Sequence, residues 1–181
     1  MAAATDPVLM TVEQYRHLAD REDVIQELHW GMVVTLTRPT MGHAKPQSLL
    51  VRLLRPKAER SGVVETEVAF RALPEYDLRS ADVAYVSRER WEATDDHDNL
   101  QGSPELVIEV LSPSNTKAEI HEKAVLCLST GAQAFWVVDA RRKTVSVTPK
   151  GGEPVIYRIG DRISLPMLDS YLEVAEIFGG G

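Results

Sequence analysis

Residues 106–111 read Leu-Val-Ile-Glu-Val-Leu, so a single acid, Glu109, stands inside an otherwise apolar run. A short run of this kind predicts a β-strand that is buried on both faces of a sheet. Residues 112–115 then predict a turn, and residues 117–130 predict a helix that ends before Gly131. Burying a carboxylate without a partner is costly, and Glu109 is therefore the first candidate for a functional residue.

The segments on either side of this strand predict further strands and helices. Apolar alternation and short apolar runs predict strands at residues 24–29, 32–37, 63–73, 82–87 and 135–140, and a hairpin of residues 143–149 and 154–159. Amphipathic spacing predicts a short helix after Thr11 and helices at residues 43–60 and 171–178. This order predicts an α/β (α+β) fold, with a mixed β-sheet flanked by helices and additional β-hairpins. Residues 11–178 would form a single domain after a flexible N-terminus at residues 1–10.

The composition is that of an ordinary globular domain. The chain has 181 residues, of which 44% are hydrophobic and 26% are charged. It contains no apolar run near the ~20 residues that cross a bilayer, and its start lacks the pattern of a secretory signal. Cys127 is the only cysteine, which excludes an intrachain disulfide. We therefore expect a cytoplasmic protein that does not bind membranes.

The net charge of −7 bears on nucleic-acid binding. Proteins that bind nucleic acid without specificity are usually basic, because neutralisation of phosphates dominates their affinity. A DNA-binding role for this chain would require a local basic groove, a bridging metal ion or a partner. Carboxylates that are gathered to hold a metal would themselves make the chain acidic.

A second acid, Asp82, opens the strand predicted at residues 82–87. A divalent cation shared by Asp82 and Glu109 would offset the cost of burying Glu109. Mg²⁺ prefers oxygen ligands and keeps several waters, so two carboxylates and a carbonyl would leave room for a water and a phosphate oxygen. Such a site can activate the water and polarise the phosphate.

Lys123 falls on the apolar side of the helix predicted at residues 117–130. Its neighbours on that side, at helical spacing, are Ile120, Ala124, Cys127 and Leu128. An inward lysine needs an acidic partner, and the two carboxylates are candidates for it. Its ammonium group could then orient the water or stabilise charge on a phosphate. The alternative is an ordinary ion pair between Lys123 and Glu119 on a solvated face.

These residues resemble, in order and spacing, the restriction-endonuclease-like family called Uma-two, which belongs to the PD-(D/E)XK superfamily. The resemblance rests on Asp82, Glu109-Val110-Leu111, Ser112-Pro113-Ser114, Lys123, Gly131 and Phe135-Trp136-Val137-Val138-Asp139. It extends over most of the chain and includes the segment from Glu27 to Gly31 and the pair Gly42-His43. It implies a restriction-endonuclease-like sheet and an Mg²⁺- or Mn²⁺-dependent endonuclease that acts on DNA.

The resemblance also implies roles for individual residues. Asp82, Glu109 and the backbone carbonyl of Val110 would hold the metal. The lysine of the superfamily normally stands where this chain has Leu111, and in this family Lys123 would replace it. Glu27 would be a further acidic catalytic position and His43 a polar position near the site. Two departures concern packing: Ala81 stands where proline is usual and Cys127 where an aromatic residue is usual.

Several of these positions have a plainer interpretation. Glu27 could be an edge carboxylate in solvent, and His43 could be a satisfied histidine at a helix start. Arg71 and Arg79 lie near Asp82 in the sequence and are candidates either to meet a substrate or to support the residues that do. The acidic loop at residues 95–98 lacks the spacing of a Ca²⁺ loop and is most simply a solvated loop.

The sequence leaves two functional hypotheses. The first is a metal-dependent endodeoxyribonuclease, expected to be a homodimer because restriction-like nucleases often need two sites to cut both strands. The second is a non-catalytic binding or assembly domain of the same fold with a vestigial metal site, which the net acidity favours. A glycosidase-type pair of acids is unsupported, since aromatic residues make up only 6% of the chain.

Overall fold

A computed structural model of the chain describes residues 9–18 and 24–179. Along the described chain the elements are α1 (Val12–Arg16), β1 (Ile25–His29), β2 (Met32–Leu36), α2 (Met41–Ala58), β3 (Gly62–Arg71), β4 (Arg79–Ser87), α3 (Arg88–Ala93), β5 (Leu100–Gln101), β6 (Leu106–Val110), α4 (Lys117–Ser129), β7 (Ala134–Asp139), β8 (Thr144–Pro149), β9 (Val155–Arg158), β10 (Arg162–Leu165), β11 (Ser170–Glu173) and α5 (Val174–Ile177). Most of the N-terminus that was expected to be flexible lies outside the described residues. The backbone N–H of Met10 donates to the carbonyl of Gly31 at 2.8 Å.

The centre of the fold is a seven-stranded mixed sheet in the order β5-β3-β4-β6-β7-β8-β9. Strand β4 is antiparallel to both β3 and β6, whereas β6 and β7 are parallel. The parallel pair is joined by α4, as a parallel connection requires. Two further hairpins, β1–β2 and β10–β11, lie outside the main sheet. The predicted mixed sheet with flanking helices and additional hairpins is confirmed.

Each face of the sheet carries its own apolar core. Leu106, Ile108 and Val110 of β6 belong to the core that includes α2 and α5. Val107, between them, belongs to the opposite core, together with Leu126 of α4. Because side chains alternate along a strand, Glu109 lies on the same face as Val107, beneath α4. This alternation brings Glu109 to the face of the sheet that the α4 helix covers.

Side-chain caps fix the starts of two helices. Thr11 and Gln14 form the expected capping box at α1, and Thr116 and Glu119 form another at α4. The α2 helix begins at Met41, so His43 lies in its first turn. No helix within the described ranges is long and apolar enough to cross a membrane.

Two of the predicted elements were wrong in detail. The C-terminal helix predicted at residues 171–178 is instead the strand β11 followed by the single-turn helix α5. Ile163 of β10 pairs with Leu172 of β11 and both are buried, so tertiary pairing outweighs the local helical pattern. Strand β4 begins at Arg79, which places Asp82 within the strand and not at its start.

Candidate active site

A cleft of about 760 Å³ lies between the β1–β2 hairpin and α4, with β3, β4 and β6 beneath it. The side chains of the five residues expected near the reaction all line this cleft: Glu27, His43, Asp82, Glu109 and Lys123. They come from five different elements, β1, α2, β4, β6 and α4. The fold therefore brings together residues that are separated by up to 96 positions in the chain.

Like Glu27, Glu109 is a buried acid of the cleft. It is 7% exposed, and its Oε2 accepts a hydrogen bond from the Lys123 ammonium at 2.8 Å. Its Oε1 is buried and has no hydrogen-bond partner among the described residues. Burial raises the pKa of Glu109, and the Lys123 charge only partly opposes this while Asp82 adds to it. Glu109 thus presents one oxygen that a ligand could satisfy.

Lys123 points inward, as the spacing along α4 predicts. Besides Glu109, its ammonium donates to the carbonyl of Ser80 at 2.7 Å. Burial acts to lower the pKa of Lys123, but the charges of Glu109 and Glu27 outweigh burial and raise it. The alternative pair with Glu119 is not formed, because the Glu119 carboxylate accepts from the backbone and hydroxyl of the Thr116 cap instead.

Asp82 joins three elements at the floor of the cleft. Its Oδ2 accepts from the backbone N–H of Val110 at 2.6 Å and lies 3.0 Å from Nε2 of His43. The hydrogen bond to Asp82 raises the pKa of His43 despite partial burial, and the Val110 backbone also raises it. The carboxylate of Asp82 and the backbone of Val110 therefore face the same imidazole.

Glu27 is buried in the cleft and does not lie in solvent at an edge. Its Oε1 accepts from the backbone N–H of Ser80 at 2.8 Å, and its Oε2 lies 2.6 Å from Nε2 of His29. Burial acts to raise the pKa of Glu27, but these hydrogen bonds and the Lys123 charge lower it overall. Ser80 accordingly links Glu27, through its N–H, to Lys123, through its carbonyl.

The two arginines that were expected to meet a substrate are both paired with carboxylates. Arg79 is 2% exposed, and its guanidinium is held by Asp77 at 3.0 Å and by Glu122 at 2.6 and 2.8 Å. Arg71 is not among the residues that line the cleft, and it pairs with Glu13 and Asp98. Arg79 does line the cleft, so a contact between these arginines and a substrate stays a prediction, although acids already accept from both of them.

Arg79 closes a ring of hydrogen bonds. Glu122 accepts from the indole N–H of Trp30 at 2.6 Å as well as from Arg79. Asp77 accepts from the backbone N–H of Trp30 at 3.3 Å. The ring ties the turn of the β1–β2 hairpin, strand β4 and α4 together, one residue away from Lys123.

His29 and Glu67 are among the polar residues of the cleft that sequence reasoning missed. His29 lines the cleft beside Glu27. The only sign of this in the sequence was that His29 stands two residues after Glu27, and therefore on the same face of the strand. Glu67 lies opposite Asp82 at the break in the β3–β4 pairing, with a left-handed φ of 52°, and accepts from the Gln47 amide at 2.9 Å. A non-glycine residue in that conformation is strained, and such strain has no signature in the sequence.

The donor set fits a hard divalent cation. Among the described residues no group of three or more His, Cys, Asp and Glu side chains is arranged to hold a metal. The expected ligands are only two such side chains, Asp82 and Glu109, with the carbonyl of Val110, and waters commonly complete the shell of Mg²⁺. The unpartnered Oε1 of Glu109 is the oxygen that a cation would satisfy.

Comparison with solved structures defines the fold class. A chain from Anabaena variabilis ATCC 29413, described as "a putative nuclease belonging to DUF820", superposes with a TM-score of 0.79. It is 19% identical, and the match covers 94% of this chain and 98% of that one. The seven-stranded mixed sheet with its helices and two hairpins is therefore the fold of that nuclease-like domain.

The family follows from the sequence itself. Residues 12–175 match the model of the Uma2 family, described as "Putative restriction endonuclease", and the chain belongs to this family. The resemblance inferred from the order of Asp82, Glu109 and Lys123 is thereby confirmed at the level of the family. No curated protein matches the chain.

Proposed function

We propose that this protein is a metal-dependent endonuclease that hydrolyses DNA phosphodiester bonds at the cleft of Asp82, Glu109 and Lys123. One observation carries the proposal: Glu109 is buried with one oxygen paired to Lys123 and the other unpaired, in the cleft that Asp82 also lines. A buried, half-satisfied carboxylate is costly unless a ligand completes it. Membership of the Uma2 family supports a nucleic-acid substrate.

Asp82, Glu109 and the Val110 carbonyl would hold Mg²⁺ or Mn²⁺. Bound there, such an ion supplies positive charge to a phosphate oxygen and makes a neighbouring water a better nucleophile. The hydrogen bond from His43 and that from the Val110 N–H orient the Asp82 carboxylate. Groups of this kind around ligands commonly tune affinity for a metal.

Lys123 would act as the cationic group of the reaction. Its raised pKa keeps the ammonium protonated at neutral pH, and it lies at the cleft floor within hydrogen-bond distance of Glu109. A fixed cation there can stabilise the charge that develops on a phosphate. Glu27, held by Ser80 and His29, supports the position of Lys123 from the other side.

The first experiment tests binding of the metal and cleavage of DNA separately. Isothermal titration with Mn²⁺ should show binding to the wild-type protein, and Asp82→Asn should bind at least about tenfold more weakly because one of two charged ligands is lost. Single-stranded DNA should be cut by the wild type only with Mg²⁺ or Mn²⁺, and not by Asp82→Asn.

Glu153→Gln is the matched control, since Glu153 is an exposed acid between β8 and β9. It should bind Mn²⁺ and cut DNA as the wild type does. Equal cleavage by Asp82→Asn and the wild type would refute the site. Absence of Mn²⁺ binding at millimolar concentration would refute the metal-dependent function and favour a binding or assembly domain.

We also propose that the protein acts as a homodimer, as related restriction-like nucleases often do. Size-exclusion chromatography with light scattering should then give twice the 20.1 kDa mass of one chain at micromolar concentration. A monomer throughout that range would contradict the dimer without affecting the site.

A further inference from the structure

The reacting residues lie at the bottom of a cleft that has two walls. One wall is the β1–β2 hairpin and the segment that leads from it to α2, and the other is α4 with the preceding loop at residues 112–115. Asp82 and Glu109 lie on the sheet between these walls. A phosphate that reaches these two acids must therefore enter this cleft.

The two walls are joined at both ends of the hairpin. At its turn, the indole N–H of Trp30 donates to Glu122 of α4 at 2.6 Å. At its open end, the hydroxyl of Thr37 lies 3.2 Å from that of Ser114, just before α4. The seam between hairpin and helix is thus closed by two hydrogen bonds, so the cleft is not an open groove along that side.

The hairpin is also fixed from below. Leu28 of β1 exchanges two backbone hydrogen bonds with Leu78, at 2.9 and 2.8 Å, and its side chain is fully buried. At the turn, the N–H of Gly31 donates to the carbonyl of Tyr76 at 2.6 Å. These contacts tie the hairpin to the segment that precedes β4, while its attachment to α4 depends on the two bonds of Trp30 and Thr37.

The size of the cleft limits what can enter. Its volume is about 760 Å³, and pockets of about 300–1,000 Å³ hold one drug-sized ligand. One or two nucleotides of a single strand are of that size. Both strands of a duplex, with their paired bases between them, do not fit between walls that are joined at both ends.

The charge of the cleft also favours a single strand over a duplex. In the described part of the chain, six carboxylates but only three Lys or Arg side chains line the cleft. The acids are Glu27, Glu67, Asp82, Glu109, Glu119 and Glu122, and the cations are Arg38, Arg79 and Lys123. Duplex DNA carries one negative charge per about 1.7 Å of its axis, twice the density of one strand. An acidic cleft with a bound metal can neutralise a single phosphate, but it opposes a dense array of phosphates.

Apolar side chains of both walls offer contacts to a nucleoside. Ile25, Val34 and Leu36 of the hairpin line the cleft opposite Ile120 of α4. Unpaired bases and sugars can pack against such side chains, whereas a duplex hides its base faces in the stack.

Resting on the proposed function, we infer that this site takes single-stranded DNA and that the β1–β2 hairpin excludes an intact duplex. A single strand needs only one site, so the inference does not depend on a dimer. Trp30 and Thr37, through their bonds to α4, are the residues that determine this specificity.

The test compares a labelled 12-nucleotide single strand with the duplex of the same sequence. Binding is measured by fluorescence anisotropy with Ca²⁺, another cation that prefers oxygen ligands, and cleavage is measured with Mn²⁺. We expect the single strand to bind at least about tenfold more tightly, a difference of about 1.4 kcal/mol, and to be cut faster by a similar factor.

Trp30→Phe keeps an aromatic ring but removes the N–H that Glu122 accepts, so it should loosen the seam and lower the single-strand preference at least threefold. Trp91→Phe is the matched control, because Trp91 is an exposed tryptophan of α3 that does not line the cleft. It should leave the preference unchanged, and circular dichroism should show that both variants are folded.

The outcomes separate this inference from the function on which it rests. Equal or tighter binding and equal cleavage of the duplex, with metal-dependent activity intact, would overturn the inference and leave the nuclease standing. An unchanged preference in Trp30→Phe would overturn the role of the hairpin. Failure to bind or cut either DNA, together with no Mn²⁺ binding, would overturn both.

Discussion

Replacement of Lys123 by methionine is the sharpest test of the buried ion pair. The side chains of Lys123 and Glu109 are 13% and 10% exposed, and their charged atoms are 2.8 Å apart. Methionine fills a similar volume without a charge, so Glu109 loses its cation while it stays buried. Breaking a buried pair in this way typically costs about 3–5 kcal/mol, and we expect Lys123→Met to lower the free energy of unfolding by that amount at pH 8.

The loss should depend on pH, with a sign set by Glu109. The pKa of Glu109 is already raised above its ordinary 4.5, and removal of Lys123, which lowers it, raises it further. The folded state then holds a proton that the unfolded state has released, so stability falls as pH rises from 4.5 to the folded pKa. Below 4.5 this penalty is absent, and at pH 5 the variant should be only slightly less stable than the wild type.

Urea denaturation in the presence of a chelator, at pH 5 and pH 8, measures both quantities. The double variant Lys123→Met/Glu109→Gln removes both charges and should recover most of the stability lost at pH 8. Lys150→Met, at an exposed turn after β8, is the matched control and should change stability by no more than about 0.5 kcal/mol. Equal losses at both pH values, or additive losses in the double variant, would refute the pairing.

Three further predictions follow from single contacts. Arg79→Met should lower the free energy of unfolding by about 3–5 kcal/mol, because it leaves the fully buried Asp77 without a cation; a loss below about 1 kcal/mol in urea denaturation would contradict the hydrogen-bonded ring. Gly62→Ala should cost about 1–3 kcal/mol, since the added Cβ would lie 2.1 Å from the carbonyl oxygen of Val86; an unchanged melting temperature would contradict that close approach. In NMR titrations without metal, His43 should show a pKa above 6.5, because it donates to Asp82. The resulting stabilisation should be complete below pH 6.5 and should disappear as pH rises through the folded pKa. A His43 pKa that does not fall in Asp82→Asn would contradict this bond.

Local patterns in the sequence were sufficient for the strand at residues 106–110 and for α4. An unbroken apolar run is buried whatever its neighbours are, and the capping box of Thr116 and Glu119 starts the helix at a defined residue. The same periodicity placed Lys123 on the inner side of α4. The prediction failed at residues 171–178, where pairing with β10 decides the structure and no local signal records a partner that is distant in the chain.

The two arginines illustrate the limit for the site. Arg71 and Arg79 lie close to Asp82 in the sequence, which suggested that they meet a substrate. The contacts of a strand residue depend on where its side chain points, and the distance along the chain does not show this. Arg79 turns toward Asp77 and Glu122, the latter 43 residues later in the chain. Its burial is compensated by the nearby Asp77 and by this distant carboxylate, which arrives only when α4 packs on the sheet.

The sequence by itself determined most strands of the central sheet and the family, and it predicted the set of Asp82, Glu109 and Lys123, because each depends on local periodicity or on spacing along the chain. It did not predict α3 or the short edge strand β5. The tertiary structure alone decided that His29 pairs with Glu27 beside this set, that Glu67 adopts a strained backbone opposite Asp82, and that the β1–β2 hairpin is bonded to α4. These features arise where separate elements meet, and their energies depend on burial and hydrogen-bond partners that exist only after the chain has packed.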